Sequence, residues 1–332
     1  MLDGEHGPGP GRLRRIADAH HHLWDLGLNT YPWLLGSPQD PHDVTGIGLL
    51  QHNYLVADLR ADTAGLPLRA SVHVEAAHDP ADPVRETSWL QSQSDAEGLP
   101  NAIVAAAVLE APNVEALLER HLEHRAVRGI RQMLDRNPRT GASEESVLMD
   151  DPAWRRGLGL LAGRGLSFDL QVLPSQLATA ARLAADFPDL VFVLNHGGYH
   201  VPASLESEQQ WRDGIAQLAG VPNVVVKASG YDIVDPHWRV QGYRDYVTTL
   251  LDTFGVDRVL FGSNFPVDGR TTTYRGLINA TIAATSALTA EELDRFFFAN
   301  TVKIYRLELA TQDTMQSATS RDNDPLSPGG CT

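Results

Sequence analysis

Cysteine is almost missing from this chain: its 332 residues hold one, Cys331, beside the last residue. A single cysteine excludes a disulfide framework and a Cys-ligated metal. Long apolar runs are also missing; nothing approaches the roughly 18 consecutive apolar residues of a membrane-crossing helix. The opening MLDGEHGPGPGRLRR carries charge without an apolar stretch, so it does not read as a secretory signal, and a cytoplasmic protein is expected. Positive charge is in short supply, with 27 Lys+Arg against 42 Asp+Glu and a net charge of −15. That balance argues against nucleic acid or an anionic membrane as partner and leaves a small-molecule substrate, with room for a homo-oligomer. No Gly-x-Gly-x-x-Gly follows any strand-like run, which counts against a doubly wound dinucleotide fold.

What is present is ordinary globular material, 42% hydrophobic and 21% charged, with 13 His as its one unusual feature. Residues 1–12 are Gly/Pro-rich and 311–332 polar, so both are expected to be disordered flanks of one domain over 13–310. Within it, eight apolar runs are bounded by Gly, Pro, Asp or Asn. They are 15–22, 69–76, 102–109, 127–133, 166–173, 190–196, 223–229 and 258–264. Helical patterns alternate with them, at 114–125, 151–163 (opened by Asp151 and Pro152), 175–187 and 289–307 (opened by a Thr-Ala-Glu-Glu capping box). Eight strands alternating with helices over this length predict an α/β fold, a distorted single-domain (β/α)₈ TIM-like barrel.

In such a barrel the chemistry gathers at the C-terminal strand ends. The first run ends Asp18-Ala-His20-His21-His22-Leu-Trp24, where alternation turns His20 and His22 one way and His21 the other. The second carries His73 and Glu75, the fourth Arg131, the fifth Asp169 and Gln171. The sixth ends Asn195-His196-Gly-Gly-Tyr199, the seventh carries Lys227, and the eighth ends Phe261-Gly-Ser-Asn264-Phe-Pro-Val-Asp268. Ionisable groups in one layer are costly without partners, so the convergence points to a site. Each also has a plainer reading. Arg131 and Lys227 could pair with carboxylates inside the barrel, His73 could be a core histidine, and Trp24 could cap the barrel mouth.

The ordered set Asp18-Ala-His20-x-His22-x-Trp24, His73-Val-Glu75, Gly129-Ile-Arg131, Asp169-Leu-Gln171, Asn195-His196-Gly-Gly and Phe261-Gly-Ser-Asn264 resembles the amidohydrolase-2 branch of the amidohydrolase superfamily. That branch includes sugar-acid lactonases and 2-pyrone-4,6-dicarboxylate lactonase. The resemblance implies a hydrolase opening a lactone, or a related cyclic ester or amide, of a carboxylated or polyhydroxylated small molecule. It implies His20, His22 and His196 around one divalent metal, Zn²⁺ first, or around the reacting carbonyl in a metal-free site. His196, Asn264, Asp268 and Glu75 are then the candidate catalytic groups. Trp24, His73, Arg131, Asp169, Gln171, Tyr199 and Lys227 are the candidate substrate contacts. One departure stands out: the strand-eight Asp of the superfamily is Asn264 here, and an amide is no general base near neutral pH. The proton must then go to Asp268, Glu75 or Asp169. Strand five also lacks the His or modified Lys that holds a second metal in many members of that superfamily, with Asp169 and Gln171 there instead, so the resemblance implies a mononuclear or metal-free site ahead of a binuclear one. A decarboxylase of an aromatic acid, and a biosynthetic or binding barrel that has lost hydrolysis, are the alternatives.

Overall fold

The computed structural model describes residues 13–35, 46–135, 147–200, 205–234 and 240–309. The flanks expected to be disordered, 1–12 and 311–332, lie outside the described residues. Eight strands run parallel and bond in chain order. They are β1 (Ile16–His21), β2 (Leu68–Val74), β3 (Ala102–Ala106), β4 (Val127–Met133), β5 (Ser167–Gln171), β6 (Phe192–Leu194), β7 (Val224–Ala228) and β8 (Val259–Phe261). The expected (β/α)₈ barrel is what forms, as a single domain.

Closure is nearly complete and unusual in where it occurs. β8 has three residues, so its ladder to β1 is made by the residues beyond it. Asn264 N donates to His20 O and His22 N to Phe265 O, each at 2.7 Å. The segment that seals the barrel is therefore also the one that carries the strand-eight site residues.

Two apolar layers follow from strand alternation. Small side chains fill the inner one, among them Ala17, Ala19, Ala70, Val72, Val104 and Val193, joined by Phe298, Tyr305 and Leu307 of the C-terminal segment. Ile16, Ile103, Ile130, Phe168, Phe192 and Phe261 face outward against the helices. The capping signals act as written: Asp151 accepts from Ala153 N and Trp154 N, and Thr289 and Glu292 form the reciprocal box. The last helical stretch is not one regular helix, since a wider turn at Arg295–Ala299 separates Ala290–Asp294 from Asn300–Ile304.

Strand ends depart from the sequence expectation in an informative way. The apolar runs at 190–196 and 258–264 continue past the last ladder residue, because the chain turns out of the sheet there to build the site. Asn195–Gly198 is a tight turn with His196 at φ 53° and Gly197 at φ 54°. A bulge interrupts β1, where Asp18 pairs with Ser71 but His21 with His73, three residues advancing against two. It parts Asp18 from His20, which simple alternation would keep on one face. Asp18 accepts from Ser263 N (2.8 Å), Ser263 Oγ (2.5 Å) and Tyr274 OH (3.0 Å), tying β1 to the closing segment.

Candidate active site

The bulge sends His20 toward Gly262 and Ser229; a Cβ on Gly262 would come within 2.8 Å of His20 Cβ. His20 meets His22 at 5.1 Å between ring centroids and His196 at 4.5 Å. His22 Nδ1–H donates to Val74 O at 2.7 Å, which leaves its Nε2 lone pair open. His196 Nδ1 lies 3.0 Å from Ser229 Oγ, an approach that needs glycine at 230, where a Cβ would fall 2.2 Å from that nitrogen. His20 is fully buried, and among the described residues neither of its nitrogens has a partner. Burial holds all three imidazoles well below their ordinary basicity. The next cause is the charge of Lys227 for His20, and of Arg131 for His22 and His196. Burial thus favours the neutral form of each imidazole.

Two buried ion pairs surround it. Lys227 Nζ sits 2.5 Å from Asp169 Oδ2, with neither side chain exposed. Tyr305 OH donates to both oxygens of Asp169 and Asn195 Nδ2 to one. Burial lowers the Lys227 pKa, with Asp169 opposing that fall. Across the barrel, Arg131 Nε reaches Glu75 Oε1 at 2.6 Å, Nη1 reaches Gln171 Oε1 at 2.8 Å, and Nη2 reaches the Glu75 carbonyl. Glu75 also accepts from Ala77 N. Both carboxylates are therefore ion-paired, Asp169 with four hydrogen bonds from Lys227, Tyr305 and Asn195, and Glu75 with one on each oxygen, from Arg131 and Ala77 N. Arg131 is paired inside the barrel; it does not stand as an open fork.

Asp268 differs. It is 2% exposed, and the Asn264 amide donates to its Oδ1 at 2.7 Å. Burial, and then the nearby Asp232, raise its pKa well above the ordinary carboxylate value. Asp232 is itself held by Arg270 at 2.9 Å and Thr271 at 2.6 Å. Asn264 stands at φ 56°, in the left-handed region that Asn and Asp enter more readily than other non-glycine residues. Asn264 therefore serves as the donor that orients a second carboxyl.

Two sequence expectations need correction. His73 and Glu75 do not share a face: Glu75 turns to Arg131, while His73 packs against His21 (6.0 Å between centroids) with its Nδ1 accepting from Leu23 N. It is buried between His21 and His22, 6.1 Å from the latter between centroids, in the manner of a core histidine. Trp24 is fully buried among Tyr31, Trp33 and Tyr54, and its indole N–H is taken by His52 O at 2.7 Å, so it packs behind His22. Asp169 and Gln171 share a face but serve different ion pairs. His20, His22, His196, Lys227, Arg131, Glu75, Gln171 and Asp169 do converge on the inner strand ends, with Tyr199 against His196 at 5.4 Å. Sequence reasoning missed Asn195, Tyr305, Asp232 and Glu86 as partners. Tyr305, 136 positions from Asp169, has no local signal at all.

Glu86, on the helix Pro83–Glu97, is buried 3.8 Å from His73 Nε2, and burial pushes its pKa up to about 7 from 4.5. Between those values the folded chain keeps a proton that the unfolded chain releases. Stability should therefore fall as pH rises across that window, by about 3 kcal/mol at ~1.4 kcal/mol per unit. Glu86→Gln should flatten this slope in denaturant titrations at pH 5 and pH 8; an unchanged difference between the two pH values would mean that Glu86 is ionised in the fold.

The chemistry of the histidines suits one divalent cation: neutral imidazoles, two orphaned nitrogens on His20, and a free Nε2 on His22. Their mutual placement is less complete. Among the described residues, no group of three His, Cys, Asp or Glu is disposed to hold a metal as it stands.

The model of the Amidohydro_2 family, described as amidohydrolase, matches residues 17–307. The chain belongs to that family. This amidohydrolase is 38% identical over 297 residues to protein y4mH of Sinorhizobium fredii, covering 88% of this chain and 98% of that one. It is 28% identical over 270 residues to an L-fucono-1,5-lactonase of Burkholderia multivorans, covering 77% and 83%. A Burkholderia multivorans amidohydrolase solved with bound zinc superposes with a TM-score of 0.74 at 26% identity, covering 88% and 99%. No helix among the described residues is long and apolar enough to cross a membrane.

Proposed function

We propose that this amidohydrolase opens the ring of a lactone, with Asp268 as the group that takes the proton from the attacking water. The observation that carries this reading is the Asn264–Asp268 hydrogen bond at the closing end of the barrel. It presents a buried carboxyl of raised proton affinity where Asn264 cannot itself act as a base. Water attacks the ring carbonyl, its proton passes to Asp268, and the carbonyl oxygen becomes an oxyanion. Lys227, which has N–H groups beyond the one on Asp169, and the neutral imidazoles stabilise that charge. The ring C–O bond then breaks, and Asp268 returns the proton to the departing alkoxide. A zinc ion, as bound in the Burkholderia multivorans structure, would be held by His20, His22 and His196 and would polarise the carbonyl.

The reading favours a lactone over an amide because an alkoxide leaves without the obligatory protonation that nitrogen requires. Similarity to the L-fucono-1,5-lactonase supports it. Proton release against a panel of lactones tests it, with carbon dioxide release from aromatic acids as the competing arm. Lactone turnover without decarboxylation is the expected result; carbon dioxide from an aromatic acid would replace the reading.

Asn264→Asp gives a sharper check. The substitution replaces a donor with a second carboxylate facing Asp268, and two such groups cannot both ionise at that distance. The acid limb of the kcat/KM profile should move upward, and activity at pH 7 should fall by about tenfold for each unit of displacement. A higher activity at pH 7 would show that position 264 works better as a ligand or base than as a donor. Zinc titration by calorimetry should show at most one site per chain in the native protein.

A further inference from the structure

The inner face of β4 continues past its last residue. Arg131, Met133 and Asp135 follow in alternation, while Leu134 points the other way and is buried in the outer core. Met133 lies in register with Gln171 of β5, and Leu134 N donates to Gln171 O at 3.0 Å. The Gln171 side chain bridges the two strands: its Oε1 accepts from Arg131 at 2.8 Å and its Nε2 donates to Asp135 Oδ2 at 3.2 Å. Its orientation is unambiguous, because a guanidinium can only donate and a carboxylate accepts. Asp135 is thereby held beside Gln171 at 6% exposure, yet its other oxygen, Oδ1, is buried without a partner among the described residues. A buried carboxylate oxygen lacking a donor is costly, so the fold positions an acceptor whose donor comes from another molecule.

We propose that Asp135 is a specificity residue, with Oδ1 accepting a hydrogen bond from a hydroxyl group of the lactone. This inference rests on the lactonase reading. The chemistry of the position excludes a substrate carboxylate there, for two reasons. Asp135 would repel it, and the neighbouring cation, Arg131, is already matched by Glu75 at 2.6 Å. The Arg131–Gln171–Asp135 chain therefore selects a hydroxyl-bearing lactone, and Gln171 acts as the positioning residue that aims the acceptor.

The test compares kcat/KM for the native protein, Asp135→Ala and Asp135→Asn, above the spontaneous rate. The substrates are glucono-1,5-lactone, which carries ring hydroxyls, δ-valerolactone, which carries none, and 2-pyrone-4,6-dicarboxylate. Asp135→Ala should lower the rate on gluconolactone by ten- to a hundredfold, the scale of one hydrogen bond to a charged group, and change δ-valerolactone by less than about twofold. The hydroxyl preference should collapse while activity survives. Asp135→Asn retains a carbonyl for Gln171 and puts an N–H donor in place of Oδ1, to which a hydroxyl can still bond as acceptor; the ratio of gluconolactone to δ-valerolactone should then fall by less than in the alanine variant, and an unchanged ratio would count against the proposal if the alanine variant does not fold. A parallel loss on both neutral lactones would overturn the proposal, as would no loss on either. A native preference for the dicarboxylate would overturn this inference and leave the lactonase reading standing; no activity on any lactone would overturn both.

Discussion

Lys227→Met is expected to cost about 3–5 kcal/mol of stability, the scale for removing one partner of a buried pair. It leaves Asp169 as a carboxylate with no exposure and no cation beside it. Tyr305 and Asn195 still donate to Asp169, but neutral donors do not replace the lost charge. The double variant Lys227→Met with Asp169→Asn removes both charges and keeps an acceptor for Tyr305. It should recover most of the loss in denaturant titrations. Hydrolysis should not return with stability, because the double variant still lacks the ammonium donors; a deficit of about a hundredfold or more is expected. A single variant that unfolds within 1 kcal/mol of the native protein would show that the pair is not closed off as described.

Asp268→Asn is the second large effect. The substitution is nearly isosteric and its amide cannot accept the proton of an attacking water, so kcat on a hydrolysed lactone should fall by about 10²–10⁴. Raised proton affinity at Asp268 places the acid limb of the native pH–rate profile above the ordinary carboxylate range. Activity should rise with pH through that limb, since the ionised form is the working one, and the variant should lack it. Near-normal turnover with the limb intact would assign the proton to another group.

The barrel was legible because its strands are buried on both faces and read as short apolar runs punctuated by turn residues. The site residues were legible for a different reason: ionisable groups such as Arg131, Lys227 and Asp169 stand out within those runs. What could not be read was their pairing. Alternation places Glu75 and His73 together, yet Glu75 follows the last residue of β2 and swings to Arg131, while His73 stays in the ladder beside His21. The β1 bulge breaks the period that alternation relies on, and nothing in Asp18–His22 announces it. Trp24 was open to two readings until burial and the His52 carbonyl decided for packing. Asn264 looked like a defect in a familiar position; only its contact with Asp268, four residues on, shows a donor with a task.

The most direct test of lactone hydrolysis is to run the reaction in oxygen-18 water, with glucono-1,5-lactone as the first substrate, and analyse the product by mass spectrometry. Attack of water at the ring carbonyl predicts an opened hydroxy acid with one heavy oxygen, located in its carboxylate, formed faster than without the protein. Label in the hydroxyl, or no ring opening above the spontaneous rate on any lactone of the panel, would contradict it.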